Sequence, residues 1–117
     1  MKRNFMTTRH CFALDLKNDI KLIEAYKKYH QVDQVWPEIV ASIKGAGIEE
    51  LDIYLVGNRL FMIMMVNNSF SFEAKQAADL ANPKVVAWEQ LMWQFQQQLP
   101  WAKGDEKWLL MDNIFTL

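Results

Sequence analysis

The dipeptide Gly57-Asn58 constrains this chain more than any other feature, because it stands between two apolar stretches, Leu51 to Val56 and Arg59 to Val66. A two-residue Gly-Asn connection is among the better short signals for a tight hairpin, since glycine supplies the positive φ such a turn needs at no steric cost. An antiparallel pair in mid-chain follows. Upstream, Arg9 to Leu16 alternates with His10, Phe12 and Leu14 on one side and Arg9, Cys11, Ala13 and Asp15 on the other, the period of a strand. Two helical patterns lie between this strand and the hairpin. Asp19 can cap a helix that buries Leu22, Ala25, Tyr26 and Tyr29 and ends near His30. Pro37 suits the first turn of the next helix, whose stripe is Trp36, Ile39, Val40 and Ile43 and whose stop is Gly45 and Gly47.

Beyond the hairpin, Ser71 can cap a short helix running to Leu80. Asn82-Pro83 then opens a longer one, with Val85, Trp88, Met92, Phe95 and Leu99 at steps of three and four up to Pro100. The segment Trp108 to Phe115 reads as a final strand of imperfect alternation. The resulting order of β, helices, β-hairpin, helices, β is the split βαβ arrangement of an α+β fold: four antiparallel strands in one sheet with helices on one face. A length of 117 residues with 51% hydrophobic side chains fits one domain, 1–117. The other sheet face is left open, and a second copy of the chain is the economical cover, so a homodimer is expected.

Charge and motif content narrow the function. Thirteen Lys+Arg against fourteen Asp+Glu leave a net −1, a balance that favours neither nucleic acid nor an anionic membrane. The most apolar stretch, Leu60 to Val66, is far short of the roughly 20 residues of a spanning helix. One cysteine, Cys11, and an N-terminus Met1-Lys2-Arg3-Asn4-Phe5-Met6 with no apolar run after it make the cytoplasm the expected compartment. Phosphate-loop, dinucleotide and nucleophile-elbow motifs are absent. His10 and His30 are far apart and adjacent His10-Cys11 point to opposite faces of a strand, so no metal is expected.

The chemistry-bearing group is Tyr26-Lys27-Lys28-Tyr29-His30, followed by Trp36-Pro37-Glu38. A helix puts Tyr26 and His30 on one face, one turn apart. Histidine can give and take protons near neutral pH, and aromatic faces stack on the C–H surface of a sugar. A histidine at a helix C-terminus is also a common dipole-compensating residue, and Trp88 in its apolar stripe is explained by packing alone. Glu89 and Trp93, at i and i+4 off that stripe, share a face less committed to the core. Lys107-Trp108 can line a pocket or only bound the last strand.

With these residues in place, the chain resembles the L-rhamnose mutarotase family, including relatives that act on L-fucose. The matching fragments are Tyr26…His30, Val35-Trp36-Pro37-Glu38, Ile53-Tyr54-Leu55, Arg59-Leu60-Phe61-Met62, Val85…Trp88-Glu89 and Ile114-Phe115, in order over nearly the whole chain. The resemblance implies a dimeric ferredoxin-like α/β barrel, and a cofactor-free, metal-free enzyme that interconverts the anomers of a 6-deoxyhexopyranose monosaccharide. It puts the catalytic proton donor on His30 and a substrate contact on Tyr26, and it puts the paired late contacts, commonly Trp-Trp, on Trp88-Glu89. Trp36, Tyr54 and Trp93 complete the expected substrate-binding set. On this scheme His30 protonates the ring oxygen, Tyr26 orients the sugar and Glu89 accepts the anomeric proton or a ring hydroxyl. Five residues, Gln31 to Val35, separate His30 from Trp36 where the rhamnose form has three, and Leu51 stands where that form often has a tyrosine. With Glu89 and the Lys107-Trp108 ending, these departures look more like the fucose branch. The alternatives on the same scaffold are a non-catalytic dimeric module for a small ligand and a heme-type or aromatic-oxidation enzyme.

Overall fold

The Gly57-Asn58 hairpin is pinned to the end of the first strand. In the computed structural model, which describes residues 7–117, the Leu16 N–H donates to the Asn58 carbonyl at 2.7 Å and the Asn58 side-chain amide donates to the Leu16 carbonyl at 2.9 Å. Met1 to Met6, on which the expected compartment partly rests, lie outside the described residues. Gly57 has φ 59°, the left-handed conformation that the turn requires. Strands β2 (Ile48–Val56) and β3 (Arg59–Val66) leave this turn with Val56 opposite Arg59. β3 pairs along its whole length with β1 (Thr8–Leu16), placing Leu14 opposite Leu60 and Phe12 opposite Met62.

Helices α1 (Ile20–Tyr29) and α2 (Pro37–Gly45) fill the β1–β2 connection, and α3 (Phe72–Leu80) and α4 (Pro83–Trp93) follow β3. Their starts are chemically marked. The Asp19 carboxylate accepts from the Lys21 and Leu22 N–H groups at 2.9 and 3.2 Å, Ser71 Oγ accepts from Ala74 N–H at 3.2 Å, and Asn82 Oδ1 accepts from Lys84 N–H at 3.0 Å. Each such cap stabilises by about 1 kcal/mol. α2 has no side-chain cap and begins instead with Pro37. Gly47, at φ 93°, brings the chain so close to Asn67 and Ser69 that a Cβ would lie 2.6 Å from Asn67 Oδ1, so only glycine fits between α2 and β2.

Leu14, Leu16 and Leu60 are the most deeply buried large side chains, and Leu16 and Leu60 pack with Tyr26, Ile39, Trp88, Met92 and Phe95 on the helix-bearing face of the sheet. Strict alternation sends the other set of side chains to the opposite face. There the Arg59 guanidinium donates to both Asp15 carboxylate oxygens at 2.7 and 3.2 Å and lies 5.4 Å from the centre of the Trp101 ring. The sheet is open, with strand order β2-β3-β1-β4, where β4 is Gln96–Gln97, all neighbours antiparallel.

The C-terminal third departs from the sequence reading. A helix from Pro83 through Leu99 is expected, but α4 ends at Trp93. Phe95 and Leu99 are buried as the period demands, yet an irregular chain delivers them: the Phe95 carbonyl accepts from the Lys17 N–H at 2.8 Å, and Gln96–Gln97 (β4) pairs with Leu16 and Asp15. The expected strand from Trp108 to Phe115 shrinks to Leu109–Leu110 (β5), which pairs with Ala13 and Phe12, plus one bond from the Met111 N–H to the Cys11 carbonyl at 2.7 Å. The fourth place in the sheet is thus shared by two short pieces, with residues 98–108 looping out between them. Past Met111 the apolar side chains Ile114, Phe115 and Leu117 are exposed.

Candidate active site

Between the sheet and helices α1, α2 and α4 lies a cavity of about 550 Å³, within the range of small-molecule sites. Its walls are mainly apolar, with Phe12, Met62 and Met64 from the sheet, Ile39 and Ile43 from α2 and Trp88 from α4. Polar side chains break this surface: Tyr26, His30, Glu89 and Gln96 meet around the α1 end, while Ser42, Lys44 and Glu49 and the α3 residues Lys75 and Asp79 line other parts of the wall.

His30 occupies the C-cap of α1, where its backbone N–H donates to the Lys27 and Lys28 carbonyls. Its ring Nδ1 lies 2.8 Å from the Tyr26 carbonyl oxygen. A carbonyl only accepts, so Nδ1 carries the proton, and in the neutral ring Nε2 is left as the acceptor. The imidazole also packs against Tyr26, with ring centres 4.4 Å apart, and meets the Trp88 indole at 5.8 Å. Burial among these rings pushes its pKa below the ordinary 6.5, opposed in part by the hydrogen bond to the Tyr26 carbonyl.

Tyr26 is buried, and its phenol oxygen accepts a hydrogen bond from Gln96 Nε2 at 3.2 Å. Burial pushes the phenol up to about 12; the Gln96 bond opposes this and the charge of Glu89 adds to it. The phenol is therefore a neutral O–H group at any physiological pH. Trp88, buried in α4, presents its ring to the cavity and is braced from behind by Trp36 at 5.1 Å and 68° and by Tyr29 at 6.3 Å and 88°.

The expected substrate-binding residues divide by position. Tyr26, His30, Trp88 and Glu89 come together around the cavity. Trp36 supports Trp88 rather than lining the space itself. Glu89 sits at the mouth with its side chain 54% exposed, and Lys107 Nζ approaches its carboxylate at 3.6 Å. Trp93 stands one helical turn further out, outside the lining, with Lys107 Nζ 5.1 Å from its ring centre. Tyr54 is not brought to this cavity: its neighbour Ile53 faces inward, so alternation places Tyr54 on the opposite sheet face, 59% exposed.

Gln96 is the polar residue that sequence reasoning missed. It lies in the run Gln94-Phe95-Gln96-Gln97-Gln98, which an extended helical period reads as a solvated surface. The break after Trp93 and pairing with Leu16 turn it inward instead. Trp108, ambiguous in sequence, lines the cavity. Among the described residues no three His, Cys, Asp or Glu side chains are grouped to hold a metal ion, and no helix is long and apolar enough to cross a membrane.

An imidazole nitrogen able to accept, a neutral phenol and an indole wall suit proton transfer on an uncharged, hydroxyl-rich ring. Known proteins agree with that chemistry. Residues 9–117 match the family model described as L-rhamnose mutarotase. The chain is 46% identical to an L-fucose mutarotase of Xanthomonas campestris pv. campestris over 109 residues, 93% of this chain and 87% of that protein. It is 37% identical to a UPF0734 protein of Dictyostelium discoideum over 110 residues, 90% of this chain and 86% of that one. Its fold superimposes on the crystal structure of L-rhamnose mutarotase FA22100 from Formosa agariphila with a TM-score of 0.68 at 25% identity, covering 94% of this chain and 98% of that one. On the family match across nearly its full length, the close sequence relative and the shared fold, the chain belongs to the L-rhamnose mutarotase family of sugar-isomerising enzymes.

Proposed function

We propose that this sugar mutarotase acts preferentially on L-fucose, with His30 moving the proton at the anomeric hydroxyl. The observation that carries the assignment of His30 is the 2.8 Å hydrogen bond from its Nδ1 to the Tyr26 carbonyl, which leaves Nε2 as the ring's only free nitrogen beside an aromatic wall. The resting ring is neutral, because burial disfavours the imidazolium. Its first act is then to accept. Nε2 takes the anomeric hydroxyl proton, the O–H electron pair becomes the second bond of the aldehyde, and the bond from the anomeric carbon to the ring oxygen breaks as that oxygen is protonated. Rotation about the C1–C2 bond turns the aldehyde over. Ring closure reverses each transfer on the other face, and here His30, now protonated, is the donor.

One well-placed acid or base contributes on the order of 10²–10⁴-fold, and mutarotation needs no covalent intermediate. Trp88 gives the sugar an apolar face to stack on. Glu89, at the mouth and held by Lys107, is suited to bind a sugar hydroxyl rather than to act as the buried base. Preference for L-fucose rests on the 46% identity to an L-fucose mutarotase and on Glu89 at the position where the rhamnose form commonly has a second tryptophan. A homodimer closes the account, the open sheet face with Tyr54 and Val56 exposed being covered by a second copy. Saturation-exchange NMR on L-fucose and L-rhamnose tests the sugar assignment: faster protein-catalysed anomer exchange on L-fucose is expected, and equal or faster exchange on L-rhamnose overturns it.

A further inference from the structure

Gln96 combines three properties that packing does not require together. It is a polar side chain only 6% exposed, it lines the cavity, and its amide donates to the Tyr26 phenol oxygen at 3.2 Å. A primary amide buried in an apolar wall costs free energy that a leucine at the same place would not. Its backbone position is set by β4, where it pairs with Leu16, so the side chain is delivered to the helix-bearing side of the sheet and held there. Among the described residues, the phenol oxygen meets one polar partner, this amide.

A phenol oxygen that accepts from an amide keeps its own proton for another acceptor. Gln96 thereby sets the direction of the Tyr26 O–H bond, and the adjoining free space is the cavity. From this geometry we infer that Gln96 is a positioning residue of the mutarotase, holding Tyr26 as the hydrogen-bond and proton donor to the ring oxygen of the sugar. The inference rests on the mutarotase reading and adds to it the group opposite His30.

The step balances. As His30 Nε2 takes the anomeric proton, the electrons of the breaking bond between C1 and the ring oxygen go to that oxygen, which takes the Tyr26 proton. The open-chain state then has an imidazolium and a phenolate whose rings are already in contact, 4.4 Å between centres. The Gln96 N–H gives the phenolate a charge-assisted hydrogen bond. On closure the ring-oxygen proton returns to the phenolate and the His30 proton goes to the aldehyde oxygen.

A double-mutant cycle tests this, with anomer exchange of L-fucose and L-rhamnose measured for the full chain. Gln96→Met keeps side-chain volume and removes the donor, and it is expected to lower kcat about tenfold or more with little change in KM, as loss of a bond to a developing charge does. In a Tyr26→Phe background the same change is expected to have no further effect on kcat. Gln96→Glu reverses the polarity, since an ionised carboxylate captures the phenol proton; activity is expected to be low at neutral pH and to recover toward acid relative to the wild-type profile. Equal losses from Gln96→Met in both backgrounds, or a Gln96→Glu enzyme that works like wild type at neutral pH, would overturn the inference while leaving the mutarotase reading intact. Failure of the wild-type protein to accelerate exchange on either sugar would overturn the mutarotase reading itself.

Discussion

His30 Nδ1 and the backbone carbonyl of Tyr26, one helical turn apart, are joined by a 2.8 Å hydrogen bond at the C-terminus of α1. The carbonyl is one of those a helix end leaves without an intrahelical partner, so the bond that caps the helix also orients the ring proposed to move the proton. It orients the ring and selects the tautomer in which Nε2 accepts.

Burial of the ring, against the opposing pull of this bond, sets the sign of the pH dependence. Burial lowers the His30 pKa from 6.5, so the ring is neutral through pH 7 and becomes charged only at lower pH. The rate of mutarotation is expected to be flat near neutrality and to fall as pH drops through the lowered value. A rate that instead falls as pH rises through that value would show that the resting ring is the acid. The same shift affects stability. The unfolded chain binds a proton at His30 more readily than the folded one, so stability falls as pH drops from about 6.5 through the folded value. His30→Gln should flatten that part of a thermal-melt profile.

Trp88 packs in the core and also lines the cavity, so its packing and its proposed stacking role can be separated. Trp88→Phe preserves an aromatic face, and a several-fold rise in KM with a modest loss of kcat is expected. Trp88→Ala removes a buried ring that braces Tyr29, His30 and Trp36, and it should cost about 3–5 kcal/mol in denaturant unfolding.

Lys107 approaches Glu89 from the loop between β4 and β5, with side chains 31% and 54% exposed. The pair contributes at most about 1 kcal/mol to stability at this exposure. Lys107→Met is therefore expected to leave the melting temperature nearly unchanged while raising KM, because Glu89 loses its anchor at the mouth. An unchanged KM would remove the pair from sugar binding.

Gly47→Ala tests the join between α2 and β2. With φ at 93° and Asn67 and Ser69 in the way of a Cβ, it should destabilise by about 1–3 kcal/mol in urea unfolding and leave the activity of the folded protein intact.

What could be read from sequence follows how local its physics is. The Gly57-Asn58 turn, the caps Asp19, Ser71 and Asn82 and the first strand carry their signals within a few residues, and each forms where expected. The end of α4 does not. Phe95 and Leu99 keep the helical period because both are buried, but the hydrogen bonds that pull the chain out of the helix come from Lys17 and Leu16, far off in sequence. That contact also turns Gln96 inward, which is why it was invisible beside three other glutamines. Tyr26 and His30 were legible together since one helical turn suffices to join them. Tyr54 shows the converse: matching a family fragment does not say which face of a strand a residue takes, and its register with Phe61 sends it away from the cavity.

The central claim, that His30 moves the anomeric proton, is tested most directly by NMR exchange between the α and β anomers of L-fucose with wild-type protein and with folded His30→Gln. The account predicts acceleration by the wild type and a loss on the order of 10²–10⁴-fold in the variant. Wild-type rates in His30→Gln would contradict it.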